Sequence, residues 1–244
     1  MARYRFDATA YDAAIVDLDG TLVDTLGDFV IALNLMLADI GPNAAPPLQV
    51  AADEVRQMVG KGSENLIISV LKHLDAQSKR APSAINLVAY YDRAYRAYQH
   101  HYAAVSGRHS SVYPGAVEGL QALQRAGFKL ACVTNKPLAF ARDLLAQKNL
   151  QTYFSEVFGG DSFARKKPDP LPLLKTCEAL GSMPKSTLVI GDSSNDALAA
   201  RAAGCPVVLV TYGYNHGQPI TNVDADGFID SLADIDLRTS GRFG

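Results

Sequence analysis

Hydrophobic positions follow two rhythms along this chain. Four short stretches are continuously apolar: Ala13-Ala14-Ile15-Val16, Leu130-Ala131-Cys132-Val133 after Lys129, Leu188-Val189-Ile190 after Thr187, and Val207-Val208-Leu209-Val210 after Pro206. Unbroken apolar runs of this length, alternating with helical patterns, predict parallel strands covered on both faces. The runs end at Asp17-Leu18-Asp19-Gly20, at Thr134-Asn135-Lys136, at Gly191-Asp192 and at Thr211. Open parallel sheets bind ligands beyond the carboxyl ends of their strands. Polar groups therefore stand at three strand ends where a site is expected.

The second rhythm is helical. Phe29, Leu33, Met36, Leu37 and Ile40 form one stripe, and Leu87, Tyr90, Tyr91, Ala94, Tyr95, Tyr98 and Tyr102 form another. Between Asp24 and about Val105 the pattern breaks at Gly41-Pro42 and Pro46-Pro47 and contains no strand. Ser106 to Ser111 has linker composition, and Tyr113-Pro114-Gly115 opens the next helix. The expectation is an α/β protein with a Rossmann-like parallel-sheet core (residues 1–23 and 106–244) and an inserted all-helical cap (residues 24–105).

Composition narrows the function. Of 244 residues, 48% are apolar and 20% charged, enough for a sizeable core and against wholesale disorder. Twenty-three Lys and Arg against 25 Asp and Glu leave a charge of −2, which argues against a protein built for nucleic acid or an anionic membrane. Cys132, Cys177 and Cys205 lie far apart without a CxxC pair, excluding a disulfide framework or an evident zinc site and fitting a reducing compartment. Met1 to Tyr11 lacks an apolar signal region, and Phe29 to Ala38 is too short to span a bilayer. A cytoplasmic location is expected.

Four segments could carry chemistry. Asp17 and Asp19, two residues apart at a strand end, point roughly the same way, and the Gly20-Thr21 turn can present backbone N–H groups to an anion. Such a carboxylate pair calls for a hard cation such as Mg²⁺; the plain alternative is a strand end leading into an acidic helix cap. Thr134, Asn135 and the free N–H groups ahead of a helix suit phosphate oxygens, although an N-cap before Pro137 explains them equally well. A lysine in Arg165-Lys166-Lys167-Pro168 could neutralise a transferring phosphoryl group, or belong to a solvated basic loop. Asp192 could complete a metal site with Asp17 while Asp196, one turn on, orients it; Asp192 or Ser193 could also merely cap the helix. Gly60-Lys61-Gly62-Ser63 is not a phosphate loop, because position 55 is Val and Gly62 intervenes before Ser63. His100 and His101 diverge on a helix and cannot chelate together.

Taken in order, Asp17 to Asp24, Val133 to Lys136, Lys167-Pro168 and Gly191 to Asp196 resemble the four motifs of the haloacid dehalogenase superfamily across nearly the whole chain. Gly159-Gly160-Asp161, Ala203-Gly204-Cys205-Pro206 and Thr211 to Gly217 look like the bacterial phosphoglycolate phosphatase branch. The resemblance implies that Asp17 attacks phosphorus and becomes an aspartyl-phosphate, and that Asp19 protonates the leaving oxygen and then activates water. It implies Mg²⁺ held by Asp17, the Asp19 carbonyl and Asp192, with Asp196 in support. Thr134, Lys167, Asn135 and the Gly20-Thr21 turn would hold the phosphoryl oxygens, with Lys167 preferred to Lys166 because it directly precedes Pro168. The helical insert resembles the superfamily's mobile cap, and Lys61 would pair with a substrate carboxylate.

The expected reaction is Mg²⁺-dependent hydrolysis of a small phosphate ester, 2-phosphoglycolate first among them. An acid at position 19 disfavours dehalogenation, since a halide leaves without a proton. A sugar-phosphate mutase, a pyrophosphatase or a broad phosphatase shares the same core chemistry. The rival from another class is a phospho-acceptor signalling protein, which needs about half this length. The expected partner is a small phosphorylated metabolite, with no nucleic acid and no membrane.

Overall fold

In the computed structural model, which describes residues 5–7, 10–41, 48–77 and 87–238, the four apolar runs lie side by side. The strands in chain order are β1 (Arg5–Asp7), β2 (Ala13–Val16), β3 (Val23–Asp24), β4 (Ser111–Val112), β5 (Lys129–Val133), β6 (Glu156–Phe158), β7 (Thr187–Gly191), β8 (Val207–Val210), β9 (Gly227–Ile229) and β10 (Asp236–Arg238). The helices are α1 (Leu26–Ile40), α2 (Ala52–Arg56), α3 (Ser63–Gln77), α4 (Leu87–Val105), α5 (Ala116–Arg125), α6 (Leu138–Gln147), α7 (Leu171–Leu180) and α8 (Ser194–Ala203). One parallel sheet has the order β6-β5-β2-β7-β8-β9, and a separate parallel pair joins β1 to β10.

Both faces of the sheet are covered, which is why its central strands read as unbroken apolar runs. Alternate residues face opposite ways. Ala14 and Val16 pack with Leu120, Leu123, Leu144 and Leu145 from α5 and α6. Ile15 and Val189 pack with Leu173, Cys177, Ala197 and Ala200 from α7 and α8. The three cysteines are free and buried. Register sets the site: Val16 pairs with Cys132 of β5 and with Ile190 of β7, so the strand ends are nearly level. Asp17, Thr134 and Asp192 consequently emerge along one edge.

Helices α1 to α4 gather around a second apolar cluster. Phe29, Leu33, Met36, Leu37 and Ile40 meet Val55, Ile67, Val70, Ala94, Tyr98 and Tyr102 there. Tyr102 stacks between Phe29 and Tyr98, with centroids 5.6 and 5.4 Å apart. Tyr90 departs from the predicted stripe and is 40% exposed, because α4 turns its Tyr91, Ala94, Tyr98 edge inward. The Leu87 side chain and Pro42, Pro46 and Pro47 lie outside the described residues.

The chain leaves and re-enters the sheet layer through an antiparallel pair, Val23 opposite Val112 and Asp24 opposite Ser111. The 106–111 linker is clamped rather than loose. Buried Asp28 accepts the N–H groups of Gly107 at 2.8 Å and His109 at 2.7 Å, while Lys148 Nζ donates to the Gly107 and Ser110 carbonyls. Gly115, at a φ of 83°, opens α5 in the left-handed conformation that glycine adopts without strain. No helix among the described residues is long and apolar enough to cross a membrane.

Candidate active site

The loop after β2 is folded by its own backbone. The Leu18 carbonyl accepts the Leu22 and Val23 N–H groups at 3.0 Å each, Gly20 N–H donates to the Val23 carbonyl at 2.9 Å, and Gly20 sits at a φ of 87°. Leu18 is driven into the core, and the carboxylates on either side of it, Asp17 and Asp19, turn outward to a shared cavity.

Lys167 anchors the charge arrangement. Its Nζ lies 2.9 Å from Asp17 Oδ1 and 2.7 Å from Asp196 Oδ1, and donates to the Val133 carbonyl at 2.8 Å. Burial alone would favour the neutral amine, but Asp17 and Asp196 outweigh it and raise the lysine's pKa. Asp196 is fully committed: its Oδ2 accepts Ser193 Oγ at 2.8 Å and the Ser193 N–H at 3.2 Å. Asp192 accepts the Thr21 hydroxyl at 3.2 Å and the Tyr214 N–H at 2.6 Å.

Asp17, Asp192 and Asp196 each place a carboxylate oxygen within 4.8 Å of the others. Burial, only partly offset by Lys167, pushes the Asp17 carboxyl up to about 7. Burial and the charges of Asp196 and Asp17 likewise push Asp192 well above the usual carboxylate range. The cluster is short of positive charge, and its donors are all oxygen, the set a hard divalent cation prefers. Space is kept open by glycines. A Cβ on Gly20 would fall 2.1 Å from Asp192 Oδ2, and one on Gly213 would fall 2.2 Å from Asp192 Cβ.

Asp19 faces a second lysine. Lys136 Nζ reaches both its oxygens, at 2.8 and 2.9 Å, and lies 4.8 Å from the Phe29 ring centroid and 5.0 Å from that of Tyr102. Asp17, Asp19, Thr134 and Lys167 line a cavity of about 40 Å³, bounded on the other side by Phe29, Val59, Leu66 and Tyr102 of the helical insert. A volume of this kind is a few times what one water occupies. The insert is held to the sheet-end loops at the Gly60 carbonyl, which accepts Asn135 Nδ2 at 3.1 Å and Asn195 Nδ2 at 3.0 Å. Asn135 Nδ2 also donates to the Lys167 carbonyl at 2.9 Å.

The family described as haloacid dehalogenase-like hydrolase matches residues 14–210, a span that contains every one of these groups except Tyr214 and Gly213. The chain belongs to the haloacid dehalogenase-like hydrolase family. It is 42% identical over 226 residues to the phosphoglycolate phosphatase of Thiobacillus denitrificans, covering 92% of this chain and 94% of that one. It is 44% identical over 220 residues to a plasmid-encoded phosphoglycolate phosphatase of Cupriavidus necator, covering 90% and 89%. Among solved structures, a predicted phosphoglycolate phosphatase from Haemophilus somnus 129pt matches with a TM-score of 0.83 at 33% identity, over 92% of this chain and 96% of that one. Membership makes the protein an enzyme, a hydrolase, and sets aside the phospho-acceptor signalling reading.

In this haloacid dehalogenase-like hydrolase, ten residues were expected at the site on sequence grounds. Asp17, Asp19, Thr134, Asn135, Lys167, Asp192 and Asp196 converge in space as described. Three do not take the positions expected of them. Gly20 and Thr21 offer no free N–H to an anion, because Val23 and Leu18 carbonyls accept them, at 2.9 and 3.4 Å; the Thr21 hydroxyl is spent on Asp192. Lys61 is exposed: the positive φ angles of Gly60 and Gly62 bring the flanking backbone to the cavity and leave the side chain between them outside. The sequence also carries two residues whose part became visible only in space. Lys136 has no assigned part in the sequence reading, and in space it pairs with Asp19. Tyr214 ties the site to the insert, its hydroxyl donating to Asp24 and accepting the N–H groups of Thr25 at 3.0 Å and Leu26 at 3.2 Å.

Proposed function

We propose that this hydrolase is a Mg²⁺-dependent phosphomonoesterase acting through Asp17, with 2-phosphoglycolate as its substrate. The observation that carries the reading is the sharing of one cavity by Asp17, flanked by Lys167 and Asp192, and Asp19. The substrate is drawn from the names of the curated relatives.

In the first step an Asp17 oxygen attacks phosphorus, the bond from phosphorus to the ester oxygen breaks, and that oxygen takes a proton from Asp19. In the second, Asp19 removes a proton from water, whose oxygen attacks the aspartyl-phosphate and returns Asp17 as carboxylate. Lys167 and the Thr134 hydroxyl bear on the phosphoryl oxygens, where preorganised donors meet the charge that develops in the transition state. Asp17, the Asp19 carbonyl and Asp192 would hold Mg²⁺, with Asp196 fixed behind them by Ser193 and Lys167. The ion supplies charge neutralisation of the phosphoryl group and of the carboxylate cluster. Residues 24–105 serve as a cap over a core of 1–23 and 106–244, jointed at the paired strands β3 and β4.

Phosphate release from 2-phosphoglycolate, sugar phosphates, nucleotides and pyrophosphate, with Mg²⁺ and with EDTA, tests the reading. The expected result is metal-dependent turnover favouring 2-phosphoglycolate by about tenfold or more in kcat/KM. Turnover centred on pyrophosphate or on a sugar phosphate removes the substrate assignment, and turnover unaffected by EDTA removes the metal. Gly213→Ala pushes against Asp192 and is expected to weaken Mg²⁺ binding about 10–100-fold, read by calorimetric titration; unchanged affinity would take Asp192 out of the metal site.

A further inference from the structure

The geometry points to Lys136 as the residue that recognises a second, anionic group on the substrate, one carbon away from the ester oxygen. This inference rests on the phosphomonoesterase reading and extends it to the leaving group.

Lys136 is only 5% exposed, and such burial of a lysine has to be matched by an opposite charge. Among the described residues its ion-pair partner is Asp19, bound through both oxygens. The aromatic faces of Phe29 and Tyr102 flank the ammonium, and Val59 and Leu66 add apolar wall to the cavity it lines. The ammonium is therefore a desolvated cation on the wall of the cavity that also holds Asp17 and Lys167.

Position converts this into selectivity. Asp17 fixes where phosphorus sits and Asp19 fixes where the leaving oxygen sits. Lys136 Nζ is one hydrogen bond beyond Asp19, so it reaches a group attached to the first carbon of the leaving alcohol. A carboxylate there takes over the ammonium and frees Asp19 from its two-point pair. A neutral group there leaves a buried cation competing only for Asp19. The aromatic pair reinforces the choice, since it favours a cation between its faces and offers a neutral polar head nothing to bond. Selection thus comes from the sheet-end loop after β5, with the insert contributing the walls that strip water from the charge.

The test compares kcat/KM for 2-phosphoglycolate with that for 2-hydroxyethyl phosphate, of similar size and without the carboxylate, in wild type, Lys136→Met and Lys136→Arg. Wild type is expected to prefer the carboxylate ester about 10–100-fold, the range of a charged hydrogen bond in a closed site. Lys136→Met is expected to lose most of that preference, and Lys136→Arg to keep part of it. Equal losses on both esters would overturn the proposal and leave Lys136 as a support for Asp19 alone. Equal wild-type turnover of the two esters would also overturn it while sparing the phosphatase reading. Absence of turnover on every phosphate ester would remove both. A measurement on wild type alone guards against a variant that does not fold: glycolate should inhibit at a concentration at least about tenfold below ethylene glycol, and equal inhibition overturns the proposal.

Discussion

Asp17→Asn is expected to abolish phosphate release, lowering kcat by about 10⁴-fold or more, ~5.5 kcal/mol of activation free energy, while the protein stays folded. The amide fills the same space, and Lys167 keeps Asp196 and the Val133 carbonyl as partners. Stability should move the other way. The Asp17 carboxyl rises from 3.8 to about 7 on folding, so the folded protein holds this proton more tightly than the unfolded chain. A raised carboxyl pKa gives stability that is complete below about 4 and is lost as pH climbs through about 7. Metal-free wild type should accordingly melt at a lower temperature at pH 8 than at pH 5.5, and Mg²⁺ should raise Tm more at pH 8. Asp17→Asn should flatten that dependence. Thermal melts in EDTA and in Mg²⁺ decide it, and a metal-free protein equally stable at both pH values would contradict the charge-crowded cluster.

Lys167→Met should be inactive and also unstable. Its ammonium is the contact shared by Asp17 and Asp196, so methionine leaves buried carboxylates facing one another. Breaking a buried ion pair by removing one partner costs about 3–5 kcal/mol, which for a chain of this size lowers Tm by roughly 10 °C. Loss of one donor to the developing charge takes about 10²–10³ from kcat. Lys167→Arg is no rescue, because a planar fork cannot reproduce three contacts converging on one nitrogen. The adjacent Lys166 serves as control: it reaches out to Glu64 at 3.3 Å on the surface, and Lys166→Met should leave Tm and kcat close to wild type. Matching phenotypes at 166 and 167 would contradict the assignment.

Sequence reasoning reached the parts of this fold whose signal is local. The central strands β5, β2, β7 and β8 are buried on both faces and announce themselves as apolar runs. β6 and β9 lie at the edges, are three residues long and are incompletely buried, so Glu156-Val157-Phe158 and Gly227-Phe228-Ile229 carry no run to read. β3 and β4 are two residues each and exist only because they pair with one another. At the site, residue type and strand-end position located Asp17, Thr134 and Asp192. Direction could not be read: nothing local shows that Lys136 turns back to Asp19, or that Lys61 turns away between two glycines. The bond between Tyr214 and Asp24 joins residues separated by 190 positions, and no pattern within either neighbourhood encodes it.

The pairing of Val23 with Val112 and of Asp24 with Ser111 means that the chain leaves the sheet and returns at one point. Everything from Leu26 to Ser110 is a side branch on a trunk whose strand register never passes through it. Lengthening such a branch costs the trunk only the entropy of closing a larger loop, about 0.6 kcal/mol for each doubling. The nucleophile, the lysine behind it and the acidic cluster can be inherited unchanged while the branch is rewritten. A lineage built on this plan can reshape the walls around its substrate without disturbing the groups that react.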